Sequence, residues 1–316
     1  MKTRNFIGPV LLFMAAACLT PTLAAQENAA GQGTPVQMIV SIEPKKGSEI
    51  PQITKHDIVV HQGHDVRPIT DFAPATGNRS ALSLAILIDD SATTNIGIQL
   101  NDIRKFIQEQ PRTTQIAVGY MQNGTVQVVQ NFTPDHLAAA KSIRITQGFF
   151  GAEASPYLSL SDFIKHWPAN PGVRREVLMI TSGIDTVYVG TYPNPYVDSA
   201  IQDAQCAGIP VYTLYMPSSG HFGHDYWRTY WGQNYLSEIS DKTGGESYYL
   251  IGPQSPVSFG PYLDKLSHQL PNQYVLTFLA APRKKAGVES VRITSEIHSV
   301  DFVHADSVCV PGSTGQ

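Results

Sequence analysis

The chain lacks a basic excess: 22 Lys and Arg stand against 26 Asp and Glu, a net charge of −4. That removes the electrostatic footprint of a nucleic-acid binder and gives no reason to expect an anionic membrane surface as partner. No segment is long enough to be a transmembrane helix, and the first apolar run is too short to span a bilayer. There is no Gly-x-Ser-x-Gly nucleophile elbow, no Gly-rich phosphate loop with a lysine, no internal repeat and no low-complexity tract. Cysteines number only three, none in a motif that supports a nucleophilic role. What is present is a globular composition: 42% apolar residues against 15% charged ones over 316 residues. That length suggests one large domain plus a smaller module.

The first residues read as an export signal. Lys2 and Arg4 form a charged start, "FIGPVLLFMAAACL" an apolar stretch, and "PTLAAQ" a small-residue cleavage region, so residues 1–25 are expected to be removed. Plain secretion, to the periplasm or the outside, ranks above lipid anchoring at Cys18, because Ala15 sits where a lipoprotein signal usually has Leu. The mature chain then keeps Cys206 and Cys309. They belong to different expected elements, and two unpaired thiols are the preferred reading over a bridge.

After a small polar leader at 26–34, the pattern is β. Val36, Met38, Val40 and Ile42 alternate as one apolar face, and "DIVVHQGHDVRPI" reads as strand, Gly63 turn and strand. "FAPATGNRS" is a linker. From Leu82 apolar runs alternate with helical patterns. "LSLAILID" is continuous, as in a strand buried on both faces. Ile96, Leu100, Ile103 and Ile107 follow at helix spacing, and Asn123-Gly124 suits a tight hairpin turn between two strands. "SPYLSLSDFIKHW" is helical, "EVLMIT", "IPVYTLYM" and "ESYYLI" are strands, and Leu263, Leu266 and Leu270 mark a last helix. Beyond Pro271 the β signals return. The expectation is a doubly wound, mostly parallel α/β domain over 80–271, inserted into a small all-β module formed by 35–75 and 272–311.

In such open sheets ligands bind beyond the carboxyl ends of the strands. Asp89, Ser91 and Thr93 occupy that place after "LSLAILID", and there the sequence resembles the von Willebrand factor type A (VWA) domain. "DAQCAGIPVYTLYM", "EISDKTGGESYYL", "LDKLSHQLPNQYVLTF" and "ITKHDIVVHQGHDVRPI" extend the likeness, over nearly the whole mature chain, to the VWFA-related domain family of the acidobacterial type. The resemblance implies an adhesion-type metal site built from Asp-x-Ser-x-Ser, a Thr from a second loop and an Asp from a third. Asp89, Ser91 and Thr93 fit the first loop. Ser155 falls at the second-loop position. The third loop is Thr181-Ser182-Gly183 where the family has Thr-Asp-Gly, so a carboxylate is missing.

Mg²⁺ dehydrates reluctantly and is usually held by one or two carboxylates plus waters. One reading is therefore a weak, partly hydrated Mg²⁺ or Mn²⁺ site at Asp89, Ser91, Thr93, Ser155 and Ser182 that a ligand carboxylate completes. The other is that these groups only satisfy loop amides and cap the next helix. The lost carboxylate favours the absence of a tightly bound ion. Asp90, Glu153 and Asp185 are the available substitutes, but strand alternation turns Asp90 away and Asp185 would need its loop to fold back.

Two long loops on the same expected face carry aromatics, among them Tyr192, Tyr226, Trp227 and Trp231, residue types enriched at binding hot spots. Most are expected to pack on one another, leaving one or two exposed. His221, His224 and Asp225 lack the helical context and third histidine of a zinc site. The chain thus reads as an exported, non-enzymatic binding or adhesion protein whose partner is a protein or a glycan. The alternative is a structural or assembly component of the cell envelope with a vestigial metal site.

Overall fold

The structure, a computed structural model, describes residues 33–45, 48–93, 97–148, 153–168, 172–188, 190, 193–218, 225–249 and 257–312. The export segment at 1–25, Tyr192, His221 and His224 lie outside the described residues.

The element that organises the chain is β5 (Leu82–Asp89), whose eight residues are all buried. It pairs in parallel with β6 (Thr114–Gln122) on one side and β8 (Arg174–Thr181) on the other. The six-stranded sheet runs β10-β9-β8-β5-β6-β7, with β9 at Val211–Tyr215 and a two-residue β10 at Ser247–Tyr248. Only β7 (Thr125–Thr133) is antiparallel, because it returns from β6 through Asn123 and Gly124. Those two residues have φ of 51° and 77°, the positive angles that a tight right-twisted hairpin requires.

Alternation along β5 divides the core. Leu82, Leu84, Ile86 and Ile88 face a cluster containing Leu100, Ile103, Phe106 and Ile107 of α1 (Gly97–Glu109) and Leu263 and Leu266 of α6 (Gly260–Gln269). Ala85 and Leu87 face the opposite cluster. There Tyr157 and Leu160 come from α3 (Pro156–Lys165), Val197 and Ala200 from α4 (Pro195–Ala207), and Leu236 and Ile239 from α5 (Tyr226–Thr243). Each fully buried Leu or Ile contributes about 2 kcal/mol by removal from water, which is why the two-sided apolar run specifies the centre of the sheet. By the same parity Asp89 points to the α3–α5 side and Asp90 to the α1 side.

A short helix unmarked in the sequence reading, α2 (His136–Lys141), follows β7; Asp135 caps it by accepting from Ala138 N at 3.0 Å. The stretch from Tyr226, read above as a long aromatic loop, is instead the beginning of α5. Asp225 caps that helix by accepting from Arg228 N at 3.1 Å, so the aromatics sit on helical turns and not on a flexible loop. Gly244 closes α5 in the left-handed conformation that a C-capping glycine adopts without strain.

The remaining strands are β1 (Thr34–Pro44), β2 (Ile58–Gln62), β3 (Asp65–Arg67), β4 (Ile69–Pro74), β11 (Gln273–Ala280), β12 (Gly287–Ser295), β13 (Val300–His304) and β14 (Ser307–Val310). They form two four-stranded sheets, β13-β1-β11-β4 and β14-β12-β2-β3. Val36, Met38, Val40, Phe72, Leu276 and Phe278 from the first meet Val60, Val291, Ile293, Val308 and Val310 from the second in a third apolar cluster. Strands from both chain ends thus pair with each other, β1 with β11 and β2 with β12.

The preference for free thiols is overturned. Cys206 at the end of α4 is bonded to Cys309 on β14, with Cα atoms 4.5 Å apart across 103 residues of sequence. The bridge follows from tertiary packing: α4 lies against β14, and Gln205 Nε2 beside it donates to Asp306 Oδ1 at 2.7 Å. Nothing local in either segment announces the other.

Candidate functional site

Asp89 ends β5 with its side chain almost wholly buried. Oδ1 accepts from Ser91 Oγ at 2.6 Å and Ser91 N at 3.0 Å, and Oδ2 accepts from Thr181 Oγ1 at 2.6 Å. Every one of these donors is neutral. Burial therefore pushes the Asp89 carboxyl above the ordinary aspartate range, with the Ser91 and Thr181 bonds pulling against it and the Asp90 charge adding to the rise. Thr181, which sequence reading passed over in favour of Ser182, is the third-loop residue that reaches Asp89. Its alternation in β8, in step with Val177 and Met179 of the same core face, is the signal that points there.

Asp90 turns the other way, as strand alternation requires. Arg144 grips it with two bonds of 2.7 Å, and Gln147 adds its backbone N and its Nε2, each at 2.9 Å. The Arg144 guanidinium also lies 3.7 Å from the centroid of the Tyr120 ring. Asp90 is thus consumed in fastening residues 144–147 to the strand end and supplies nothing to Asp89.

The other loops arrive as follows. Ser155 is the N-cap of α3; its Oγ is buried and has no hydrogen-bond partner among the described residues. Ala154 O accepts from Thr186 N at 2.7 Å and Thr186 Oγ1 at 3.0 Å, and Tyr157 Oη donates to Gly183 O, so second and third loops are tied together. Ser182 Oγ accepts from Ile184 N at 3.2 Å within its own turn. Thr93 is half-buried, with its N bonded to Pro217 O at 3.1 Å. Asp185 does not substitute for the missing carboxylate. Its Oδ1 accepts from Val187 N and Tyr188 N, both at 3.0 Å, and its Oδ2 from Asn194 Nδ2 at 3.1 Å. Glu153 is exposed and held through its backbone to Asn123.

A divalent cation would therefore find one carboxylate and several hydroxyls, the Ser155 Oγ being without a partner among the described residues. Both Asp89 oxygens already accept from protein donors. This set fits a weakly held, largely hydrated ion and does not fit a tightly bound one.

Beside the site, α5 is pressed onto the third loop at Gly183 and Gly232. Gly183 has φ +71°, and a Cβ on Gly232 would come within 2.6 Å of Ser182 O. No larger residue fits either position. The contact places the first turns of α5 next to the Thr181–Asp185 loop, with a cleft of about 80 Å³ between them lined by Asp185, Tyr188, Asn194, Trp231 and Tyr235. Among the described residues the exposed aromatics are Tyr226 (60%), Trp227 (63%) and Tyr230 (46%). They also touch one another: the Tyr226 and Tyr230 rings stack at 6.4 Å, and Trp227 meets Tyr226 edge-on at 5.6 Å. Trp231, grouped with them from sequence, is half-buried and packs against the α3–α5 core.

No protein-family model and no curated protein sequence matches the chain. Solved structures do resemble it. An aerotolerance-related membrane protein from Bacteroides fragilis is 15% identical at a TM-score of 0.43, over 60% of this chain and 98% of that one. BatB from Bacteroides thetaiotaomicron is 13% identical at 0.40, over 60% and 97%. The SpRpn10 VWA domain is 10% identical at 0.39, over 58% and 95%. In this chain an Asp-x-Ser-x-Thr turn, Asp89 to Thr93, stands at the end of the central strand of the α/β sheet.

Proposed function

We propose that the protein is an exported, non-enzymatic binding protein that engages a protein partner through the carboxyl-end face of its central sheet. One observation carries this reading: the trio Tyr226, Trp227 and Tyr230 is exposed on a helix held rigidly beside Asp89 by the Gly183–Gly232 contact. Rigid aromatic side chains offer large contact area at low entropic cost, the property of interface hot spots. A glycan partner would use the same rings as a stacking surface. The two outer sheets are read as a β module that presents this face.

A Mg²⁺ or Mn²⁺ ion at Asp89, Ser91, Thr93 and Ser155 would supply positive charge for a partner carboxylate. The residues themselves orient the loops: Asp89 joins the first to the third, and Ala154 the second to the third. The occupation of both Asp89 oxygens by protein donors favours a second reading, an envelope assembly component in which the metal site is vestigial.

Pull-down from cell-envelope extract, with and without EDTA, tests both. Wild type should retain a partner that Trp227→Ala loses without losing its fold. Equal capture by the two proteins would sink the aromatic-face reading. Capture unaffected by EDTA and by Asp89→Ala would assign the metal site to history.

A further inference from the structure

We propose that the end of the central sheet opposite Asp89 holds a binding site for a small polyanion, a compact molecule bearing carboxylate or phosphate groups, read by Arg174, Arg175 and Arg79. The three arginines line one cleft of about 320 Å³, with Asp71, Gln37 and Gly208 among its other walls. That is a volume typical of small-molecule sites.

Arg174 opens β8 and is 92% buried, being 8% exposed. Its hydrogen bonds run from Nη1: to Glu176 Oε1 at 3.1 Å, to Leu270 O at 3.3 Å and to the Gln273 amide oxygen. Its Nε is buried and has no acceptor among the described residues. A guanidinium offers Nε and the neighbouring Nη as a planar fork that matches a carboxylate or phosphate edge. Here the protein uses one corner of the group and leaves the fork's Nε unsatisfied. A buried donor in that state is costly, and a ligand oxygen would relieve it. Arg174 also lines a second cavity of about 190 Å³ with Leu82, Pro111 and Leu270.

The neighbouring charges favour an anion. Arg79 is paired with Asp71 at 2.5 Å, and Arg174 with Glu176. Arg175 is half-buried, donates to Ala207 O at 2.5 Å and pairs with no carboxylate among the described residues. Three arginines against two carboxylates leave one uncompensated positive charge at the cleft. Burial alone holds the Arg175 guanidinium below the usual arginine range, a destabilisation that an incoming anion would reverse.

Isothermal titration of the full chain with citrate and with inorganic pyrophosphate, in low-salt buffer at neutral pH, tests the site. Saturable binding of at least one probe is expected, and the preferred probe distinguishes a carboxylate from a phosphate ligand. Arg175→Gln should weaken it about tenfold, the scale of one lost charge-assisted contact. Arg174→Lys keeps the charge but removes the fork and should abolish binding; circular dichroism checks its fold. If that variant unfolds, Arg175→Gln and Arg79→Gln decide. Absence of saturable heat with both probes, or unchanged affinity in both of those variants, overturns the proposal.

Discussion

Asp89 and Asp90 are neighbours at one strand end, both buried, and the protein treats their charges differently. Asp90 receives a guanidinium and two amide donors; Asp89 receives two hydroxyls and one backbone amide. The first charge is neutralised by a permanent partner, and its hydrogen bond in turn raises the Arg144 guanidinium. The second is solvated by dipoles alone, and its proton affinity rises. A charge that is paired has been committed to structure. A charge held only by neutral donors can still be met by a proton, a cation or a partner group.

The largest effect should come from the paired side. Asp90→Ala strands Arg144 and both Gln147 donors, and a loss of about 3 kcal/mol in urea unfolding is expected. A loss below that of Asp89→Ala would invert the comparison. Next, 10 mM Mg²⁺ should stabilise wild type by about 1.4 kcal/mol at most, the linkage value for a dissociation constant near 1 mM. Saturation in the micromolar range by calorimetry would break the reading of a weak site. The smallest effect is that of Asp89→Asn, expected to raise stability by roughly 1 kcal/mol in EDTA at neutral pH, by removing an uncompensated buried charge.

The pH dependence of that gain follows from linkage. The folded Asp89 carboxyl lies above its unfolded value, so its favourable contribution is complete below the unfolded value and is lost as pH rises through the folded one. The advantage of Asp89→Asn should therefore shrink toward acid. Thermal melts of both proteins across mildly acidic to neutral pH measure it. An advantage that grows on acidification would contradict the geometry at Asp89.

Much of the α/β fold is legible because its signals are local. The unbroken run from Leu82, the Asn123-Gly124 turn, Pro156 at the start of α3 and Gly244 at the end of α5 each act within a few residues. The aromatic stretch misleads because its apolar residues are crowded at Tyr226–Trp231 without clear periodicity, while the Asp225 cap that starts the helix is a single residue. At the site, the order of hydroxyls along "DDSATT" suggests a cation, yet the residue that reaches Asp89 from the third loop is Thr181 and not Ser182. Strand parity decides between them, and it is read only once the end of β8 is known.

The sequence by itself determined the buried central strand, the opposite orientations of Asp89 and Asp90, and the shortage of carboxylates in the loops. Period-two alternation and composition are properties of the chain alone. Only the tertiary structure decided that Cys206 meets Cys309, that Asp185 spends its oxygens on Val187, Tyr188 and Asn194, and that three arginines share one cleft. Those outcomes depend on the approach of segments far apart in sequence. Each was selected by the packing of whole helices and sheets, to which any one residue's local preference contributes little.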